Sequence, residues 1–527
     1  MTAGGMVMAD RGGIAEAAPL DAAETRQLDV IRRWGTVGAL LLAVGSLGSG
    51  AAPVFSPLPG TPLLGLFVRM PSASMGAVWT GMFLVVSAWL WLGRFARPGR
   101  PRLMSRSQLD RTLLMWITPL VFVLPMFSRD VYSYLAQSQI AANGQDPYEL
   151  GPATALGVEH DLTKNVPNIW RETPAPYGPL FLAAGRVISM VTGDSVLPGI
   201  FLHRLLGLLG LAMIVWALPR LARRFGVPPV AALWLGAANP LVLFHLVVGV
   251  HNEGLAIGLM LVGLELALRK MPLRAGARMT REELLWIVLG ATMITMGAAV
   301  KIPAALALGF LGVLIARRWG GRFSDLVRAA LLLLVISGVV MVGTCVGTGL
   351  GFGWVETLNV AGTVKSWMSP PTAMGFMGGG LGLLLGLGNH TESMIALMRV
   401  VTQAVSVVIV ATLLWKAFRG RIKAVNGLGA GLGAVLVLGP VLQPWYVLWA
   451  ALPLATGVLA RRFRVFATTA SAVIAVILPP TGSAFDGRAY TVPQAVTGAL
   501  IAFAVCLFVA RKQVMPLIRR DPLPGSA

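Results

Sequence analysis

An acidic residue stands where a long apolar run ends and the longest polar stretch of the chain begins. Asp130 lies in segment 127–134, which reads Phe-Ser-Arg-Asp-Val-Tyr-Ser-Tyr. A carboxylate at the edge of the membrane hydrocarbon is costly, so it is retained where it has a function. Because a carboxylate can take a proton from a hydroxyl group as that hydroxyl attacks a substrate, Asp130 is a candidate general base.

A structural role for Asp130 is the alternative. Aspartate is a preferred residue at a helix N-cap, and an apolar-polar helical pattern runs from 131 to 142. Both roles can coexist in one residue. Glu172, the other carboxylate in a structured part of the same predicted loop, is the reserve base.

Further polar and aromatic side chains gather in the same set of predicted loops. The candidate substrate-binding residues are Arg129, Tyr132, Tyr134, Arg171, Glu172, Tyr177, Trp367, Gln443, Trp445 and Tyr446. Cations hold phosphate, and aromatic rings stack on sugars or lie at the level of the lipid headgroups. Together with a carboxylate that activates a hydroxyl, these groups are what transfer from an anionic, lipid-linked donor requires.

Several of these residues also have structural interpretations. Trp445 and Tyr446 are either sugar platforms or aromatic residues of the membrane interface, whereas Trp367, in a longer loop, is predicted to line the path of the acceptor. The consecutive residues His251, Asn252 and Glu253 either contact the donor phosphate or an acceptor sugar, or end two helices at a turn.

For the donor phosphate we favour Lys301, a lone cation in the turn 300–303 between two apolar runs. Arg204 and Arg399 are secondary candidates, because each is predicted to lie a turn or two inside the outer end of its span, where an unpaired guanidinium is costly. All three cations could instead extend to lipid headgroups or form structural ion pairs.

Membrane-spanning helices must position these residues. The chain has 527 residues, of which 56% are hydrophobic and 12% charged, and this excludes an ordinary water-soluble protein. Apolar runs recur from Trp34 to Ala510, each of about 17 to 25 residues and long enough to cross roughly 30 Å of hydrocarbon as a helix. We predict an all-α polytopic membrane protein with about 13 to 14 transmembrane helices.

The formal net charge of +21 does not indicate a nucleic-acid partner, because the basic residues form short clusters between apolar runs. The positive-inside rule places these clusters and both termini in the cytoplasm, and it places Asp130 outside. Segment 179–191 is too short to span and carries Arg186 in its middle, so we predict a juxtamembrane helix there. The two cysteines are not expected to form a disulfide.

These observations give a domain plan. It consists of a cytoplasmic segment 1–30 that is not a signal peptide, a transmembrane catalytic domain 31–511 with extracytoplasmic loops 128–196 and 350–391, and a cytoplasmic tail 512–527.

Six motifs, all on the predicted external side, carry a resemblance to a known family. They are segments 128–134, 144–148 (Gly-Gln-Asp-Pro-Tyr), 170–180 (Trp-Arg-Glu-Thr-Pro-Ala-Pro-Tyr-Gly-Pro-Leu), 251–253 (His-Asn-Glu), 366–371 (Ser-Trp-Met-Ser-Pro-Pro) and 443–446 (Gln-Pro-Trp-Tyr). From Trp34 onwards the chain resembles the GT-C glycosyltransferases, whose signature is an acidic residue in the first extracytoplasmic loop. Within them it is similar to the actinobacterial polyprenyl-phosphate-mannose-dependent α-1,6-mannosyltransferases of the MptB type.

The resemblance implies the GT-C fold and transfer of mannose from a polyprenyl monophosphate to the α-1,6-mannan backbone of lipomannan and lipoarabinomannan. A β-linked donor that gives an α-linked product requires inversion, hence one displacement with Asp130 as general base towards the acceptor O6. The implied partners are the lipid donor, a mannosylated phosphatidylinositol or mannan acceptor, and membrane lipids. The implied location is the plasma membrane, with the active site on its periplasmic face.

No metal and no further cofactor are expected, because acidic residues in the outer loops are sparse and lack an Asp-X-Asp pair. Two other functions stay open. A flippase or transporter of lipid-linked sugars would suit many glycine-rich spans, although the repeat between halves and the polar midplane residues of transporters are not seen. A related GT-C enzyme that uses another polyprenyl-phosphate sugar, or that elongates the distal mannan, is not excluded, because sugar selectivity depends on loop geometry.

Overall fold

The computed structural model describes residues 17–271, 279–363, 365–366, 368–482 and 491–518. Trp367 lies outside these ranges, as do most of the predicted N-terminal segment 1–30 and of the tail 512–527. Helices dominate the described chain. The two strands, β1 (Ala18–Pro19) and β2 (Arg102–Leu103), form one short parallel pair.

The helices follow one another along the chain with short connections. The α-helices are α1 (Ala22–Ser49), α2 (Leu64–Arg69), α3 (Pro71–Ala96), α4 (Arg106–Leu120), α5 (Asp130–Ala142), α6 (Pro152–Leu156), α7 (Asp161–Asn165), α8 (Pro179–Thr192), α9 (Val196–Phe225), α10 (Pro229–Leu235), α11 (Glu253–Leu268), α12 (Arg281–Ala298), α13 (Leu306–Trp319), α14 (Phe323–Thr348), α15 (Pro370–Leu384), α16 (Thr391–Phe418), α17 (Ala424–Val437), α18 (Val447–Ala455), α19 (Arg461–Ile477), α20 (Thr491–Val509) and α21 (Arg511–Ile518). A π-helix spans Val242–Val248, and 3₁₀ helices span Leu58–Gly60, Asn168–Trp170, Ile302–Ala305, Gly353–Thr363 and Pro444–Tyr446.

Local sequence explains where several helices begin. Asp21 caps α1 by accepting hydrogen bonds from the amides of Ala23 and Glu24, and Ser105 with Gln108 forms a capping box at the start of α4. Proline occupies the first turn of α3, α8, α10 and α15, where its missing N–H costs no helical hydrogen bond.

Seven helices of the described residues are long and apolar enough to cross a membrane, or eight if Val242–Val248 and α11 count as one interrupted span. The prediction of an all-α, multi-pass membrane protein is confirmed. The described residues hold fewer such helices than the 13 to 14 predicted, because apolar runs such as those of α17 and Pro444–Ala455 form helices of 10–17 residues. The helix predicted over 179–191 is α8.

Contacts divide the described chain into two compact units. One contains Tyr132–Val227 and Asn252–Leu459, and the other contains 17–131, Pro228–His251 and 460–518. In the second unit, α1 and α3 approach through glycine: a Cβ on Gly38 would lie 2.8 Å from the Gly81 carbonyl oxygen. The indoles of Trp89 and Trp234 donate to each other's backbone carbonyls at 2.8 and 2.9 Å.

In the first unit, glycines bring α11 against two neighbours. A Cβ on Gly210 of α9 would lie 2.3 Å from the backbone of Gly254, and a Cβ on Gly263 would lie 2.5 Å from the carbonyl oxygen of Gly290 in α12. Backbones this close leave room for no larger side chain. The first contact lies beside Glu253, the first residue of α11, and the second joins α11 to the helix α12 that leads to Lys301.

Candidate functional site

Asp130 is the first residue of α5, and the Ser128 hydroxyl accepts its backbone N–H at 3.0 Å. The sequence suggested Asp130 as the N-cap of this helix, but Asp130 is the first helical residue. Ser128 supplies the acceptor for its amide. The Asp130 side chain is 30% exposed. Asp130 thus begins a helix, and its carboxylate is partly accessible.

His251 contacts this carboxylate. Its Nδ1 lies 3.4 Å from Oδ2 of Asp130, and its side chain is fully buried. A second buried histidine, His245, lies in the preceding π-helix, with its ring centroid 6.0 Å from that of His251. The structure thus brings together two of the predicted site residues, Asp130 and His251, as an acid–imidazole pair. The role of His251 in phosphate binding stays a prediction.

The backbone beside this pair is strained on both sides. Among the described residues, Phe127 and Val250 are the non-glycine residues with positive φ, at 68° and 57°. A β-branched residue in this region is an outlier, and such strain costs about 1 to 3 kcal/mol per residue and collects at functional sites. The ring of Phe127 stacks on Phe244 with centroids 5.6 Å apart and meets His245 edge-on.

Lys301 lies in the turn between α12 and the 3₁₀ helix Ile302–Ala305, as predicted. Its ammonium group pairs with Glu253, whose side chain is fully buried, and it lies 4.9 Å from the ring centroid of Tyr446. The ion pair and the aromatic face together hold the cation in place. The carboxylate of Glu253 also lies at the N-terminus of α11, where a helix favours negative charge.

Lys301 lines a cavity of about 240 Å³ in the first unit. Most of the lining is apolar, and its aromatic members are Tyr177, Trp354, Tyr446 and Trp449. The indole N–H groups of Trp354 and Trp449 are buried and have no acceptor in the described part of the chain. Buried indoles ordinarily find an acceptor. An apolar cavity with one cation suits an amphiphile that has an apolar chain and an anionic head.

Asn252 is another buried polar residue whose side chain lacks hydrogen-bond partners within the described ranges. Its side chain is 3% exposed, and neither amide atom has a hydrogen-bond partner within the described ranges. A buried amide without partners costs about 1 to 3 kcal/mol, so a bound ligand or water is expected to complete it. Asn252 stands next to Glu253 in the chain.

Two other predicted cations bond to backbone carbonyls. Arg399, in α16, donates to the Gly362 oxygen at 2.6 Å and so ties down the 3₁₀ helix that carries Trp354. Arg171 donates to the carbonyls of Val166 and Lys164 at 3.0 and 2.9 Å. These contacts stabilise loops, and the predicted substrate roles of both residues stay predictions.

The remaining predicted residues divide by burial. Arg204, Tyr132, Tyr134 and Trp445 are buried, whereas Arg129, Tyr177, Gln443 and Tyr446 are half-buried. Tyr134 packs edge-on against Tyr177 and Phe181, with centroids 5.1 and 4.9 Å away, which is core packing. Oε2 of Glu172, the reserve base, accepts a hydrogen bond from Thr154 at 3.0 Å.

A close backbone contact connects the Tyr177 segment to the Lys301 turn. The Gly178 amide donates to the Val300 carbonyl at 3.1 Å, and that of Leu180 donates to the Ala299 carbonyl at 3.0 Å. A Cβ on Gly178 would lie 2.1 Å from the Ala299 oxygen. Only glycine fits there.

We expect Gly178→Ala to lower the free energy of unfolding by about 1 to 3 kcal/mol, because the added methyl group forces the two backbones apart. Thermal unfolding in detergent measures this. Gly343→Ala in α14 is the control, because no atom lies within 4 Å of a Cβ there and alanine favours a helix. Equal melting temperatures for Gly178→Ala and the wild type would contradict the expectation.

Sequence reasoning missed Trp354, Trp449 and the pairing of His251 with Asp130. Nothing in the sequence separates these two tryptophans from the aromatic residues of a membrane interface. Within the described ranges, no group of three or more His, Cys, Asp and Glu residues is arranged to hold a metal ion.

Two family models match the chain: "Alpha-(1->6)-mannopyranosyltransferase, N-terminal domain" over residues 32–317 and "MptB C-terminal domain" over residues 371–508. A probable alpha-(1->6)-mannopyranosyltransferase of Mycolicibacterium smegmatis is 46% identical to the chain, over 94% of the chain and 90% of that protein. An alpha-(1->6)-mannopyranosyltransferase of Mycobacterium tuberculosis is 43% identical, over 88% of the chain and 84% of that protein. Alpha-(1->6)-mannopyranosyltransferase B of Corynebacterium glutamicum is 36% identical, over 97% and 85%. No solved structure matches the chain.

Proposed function

Since the chain belongs to the MptA/MptB family of alpha-(1->6)-mannopyranosyltransferases, we propose that it transfers mannose from a polyprenyl monophosphate to an α-1,6-mannan acceptor. Membership of this family makes it a glycosyltransferase. The proposal assigns it to synthesis of the lipomannan and lipoarabinomannan core, with a mannosylated phosphatidylinositol or mannan as acceptor. It locates the active site on the extracytoplasmic face of the plasma membrane and both termini in the cytoplasm, because the basic clusters alternate with the candidate loops.

The cavity beside Lys301 is the observation that carries the choice of donor. Its lining is mostly apolar, as an isoprenoid chain requires, and the ammonium group of Lys301 supplies a charge for a phosphate. Trp354 and Trp449 also line the cavity, and their buried indole N–H groups have no acceptor within the described ranges. Phosphate oxygens would share Lys301 with Glu253, which keeps the cation in place when no donor is bound. The lipid-linked mannose is the proposed donor, and no further cofactor is proposed.

In the proposed reaction, Asp130 takes the proton of the acceptor O6 hydroxyl as the oxygen attacks C1 of the donor mannose. The bond between C1 and the phosphate oxygen breaks, and its electron pair stays with the phosphate. One displacement inverts C1, so a β-linked donor gives an α-linked product. Lys301 stabilises the negative charge that grows on the leaving phosphate.

A panel of donors tests the proposal. We expect the purified protein in liposomes to transfer mannose from polyprenyl-phosphate-mannose to a short α-1,6-mannoside and to release polyprenyl phosphate. A water-soluble nucleotide-linked mannose should give no product, because it has no apolar chain for the cavity. Product from the nucleotide donor at a similar rate would overturn the assignment of the cavity to a lipid-linked donor.

A further inference from the structure

We infer that His251 is a positioning residue: its imidazole orients the Asp130 carboxylate for proton transfer. The inference rests on the proposed role of Asp130 as general base. His251 acts through Asp130 and contacts neither sugar nor phosphate. It thus differs from the role predicted for the segment 251–253 from its sequence.

Distance and burial support this assignment. Nδ1 of His251 lies 3.4 Å from Oδ2 of Asp130, and the imidazole is fully buried whereas the carboxylate is 30% exposed. Hydrogen bonds of catalytic groups are often long in the absence of substrate and tighten when it binds. An imidazole nitrogen this close to Oδ2 restricts rotation of the carboxylate and so orients it for the acceptor hydroxyl.

The backbone around His251 is built to hold the ring at this place. Val250 has a φ of 57°, which redirects the chain just before His251. A Cβ on the preceding Gly249 would lie 2.9 Å from Cδ2 of His251, so a larger residue would displace the ring. The backbone N–H of His251 donates to the His245 carbonyl at 3.3 Å.

The segment that carries Asp130 packs against the π-helix Val242–Val248, which precedes His251. Phe127, with a φ of 68°, stacks on Phe244 and meets the ring of His245 edge-on. Its N–H donates to the Pro480 carbonyl at 3.0 Å. Each partner of the acid–imidazole pair thus lies within three residues of a left-handed residue, as expected of strain retained for function.

We expect His251→Ala to lower kcat by about 10- to 100-fold, the usual cost of losing a group that orients a reacting residue, with the KM for donor unchanged. His251→Asn should recover most of the turnover, because its amide nitrogen stands close to the place of Nδ1. The control is His160→Ala, which removes a loop histidine paired with Asp194 at 3.5 Å. A rate per folded protein equal to wild type in His251→Ala would overturn the inference.

A double-mutant cycle with Asp130→Asn separates positioning from packing. If His251 acts through Asp130, adding His251→Ala to Asp130→Asn should lower turnover by less than about twofold. If His251→Ala lowers turnover as much in the Asp130→Asn background as it does in the wild type, the positioning role is wrong while the base assignment stands. Wild-type turnover in Asp130→Asn would instead overturn the proposed base itself.

Discussion

Replacing Asp130 by asparagine is expected to lower turnover by about 10²- to 10⁴-fold, the usual contribution of a general base. Asparagine has the same shape, and the Ser128 hydroxyl still accepts the backbone N–H of residue 130, so α5 should begin at the same place. The amide cannot take the proton of the acceptor hydroxyl. Initial rates at saturating donor and acceptor measure the effect, and the KM for donor should stay within about threefold of wild type.

Two carboxylates of the same loop make this test specific. Glu159→Gln removes an exposed carboxylate paired with Lys164 at 2.9 Å and should leave turnover unchanged. Glu172→Gln tests the reserve base. If turnover collapses in Glu172→Gln and persists in Asp130→Asn, the base is Glu172 and the account of Asp130 is wrong.

Replacing Lys301 by alanine should raise the KM for the lipid donor by about 10- to 100-fold, because a hydrogen bond to a charged group contributes about 1.5 to 3 kcal/mol. The same change removes the cation that pairs with the buried Glu253. Breaking a buried ion pair costs about 3 to 5 kcal/mol, and less here because Lys301 is one-fifth exposed, so the melting temperature should fall as well. Lys301→Arg keeps the charge and should retain donor binding better than alanine does.

A second ion pair of the first unit is the control for Lys301. Lys365 pairs with Glu392, and both side chains are largely solvent-accessible, at 46% and 72%. Lys365→Ala should change the donor KM and the melting temperature little, since exposed pairs contribute about 0 to 1 kcal/mol. If Lys301→Ala loses stability but binds donor with wild-type affinity, Lys301 is a structural ion-pair residue and the phosphate lies elsewhere.

Hydropathy predicted the class of fold because an apolar run of sufficient length has few alternatives to a helix in a membrane. It did not predict where such a run is interrupted. The stretch that forms α17 and α18 breaks around Gly439 and Pro440, and the break helps to line the cavity. The number of spans and the shape of the cavity both depend on where apolar helices break. Hydropathy averaged over a long window does not show these breaks.

The candidate site was predicted in part. Local signals sufficed for the start of α5 near Asp130 and for the turn at Lys301, because both depend on a change from apolar to polar residues. The contact between Asp130 and His251 joins residues far apart in the sequence, and no local pattern specifies such a partner. Likewise, the sequence showed that Arg399 lies in a helix but not that its partner is the backbone carbonyl of Gly362, in another segment.

The most direct test of the central claim is the linkage and anomeric configuration of the product. The purified protein in liposomes would receive polyprenyl-phosphate-β-mannose and a short α-1,6-mannoside, and the product would be analysed by NMR. We predict a single added mannose in α-1,6 linkage, with one polyprenyl phosphate released per transfer. A β-linked product would contradict a single inverting displacement with Asp130 as base. Absence of transfer together with movement of the lipid across the bilayer would favour a flippase.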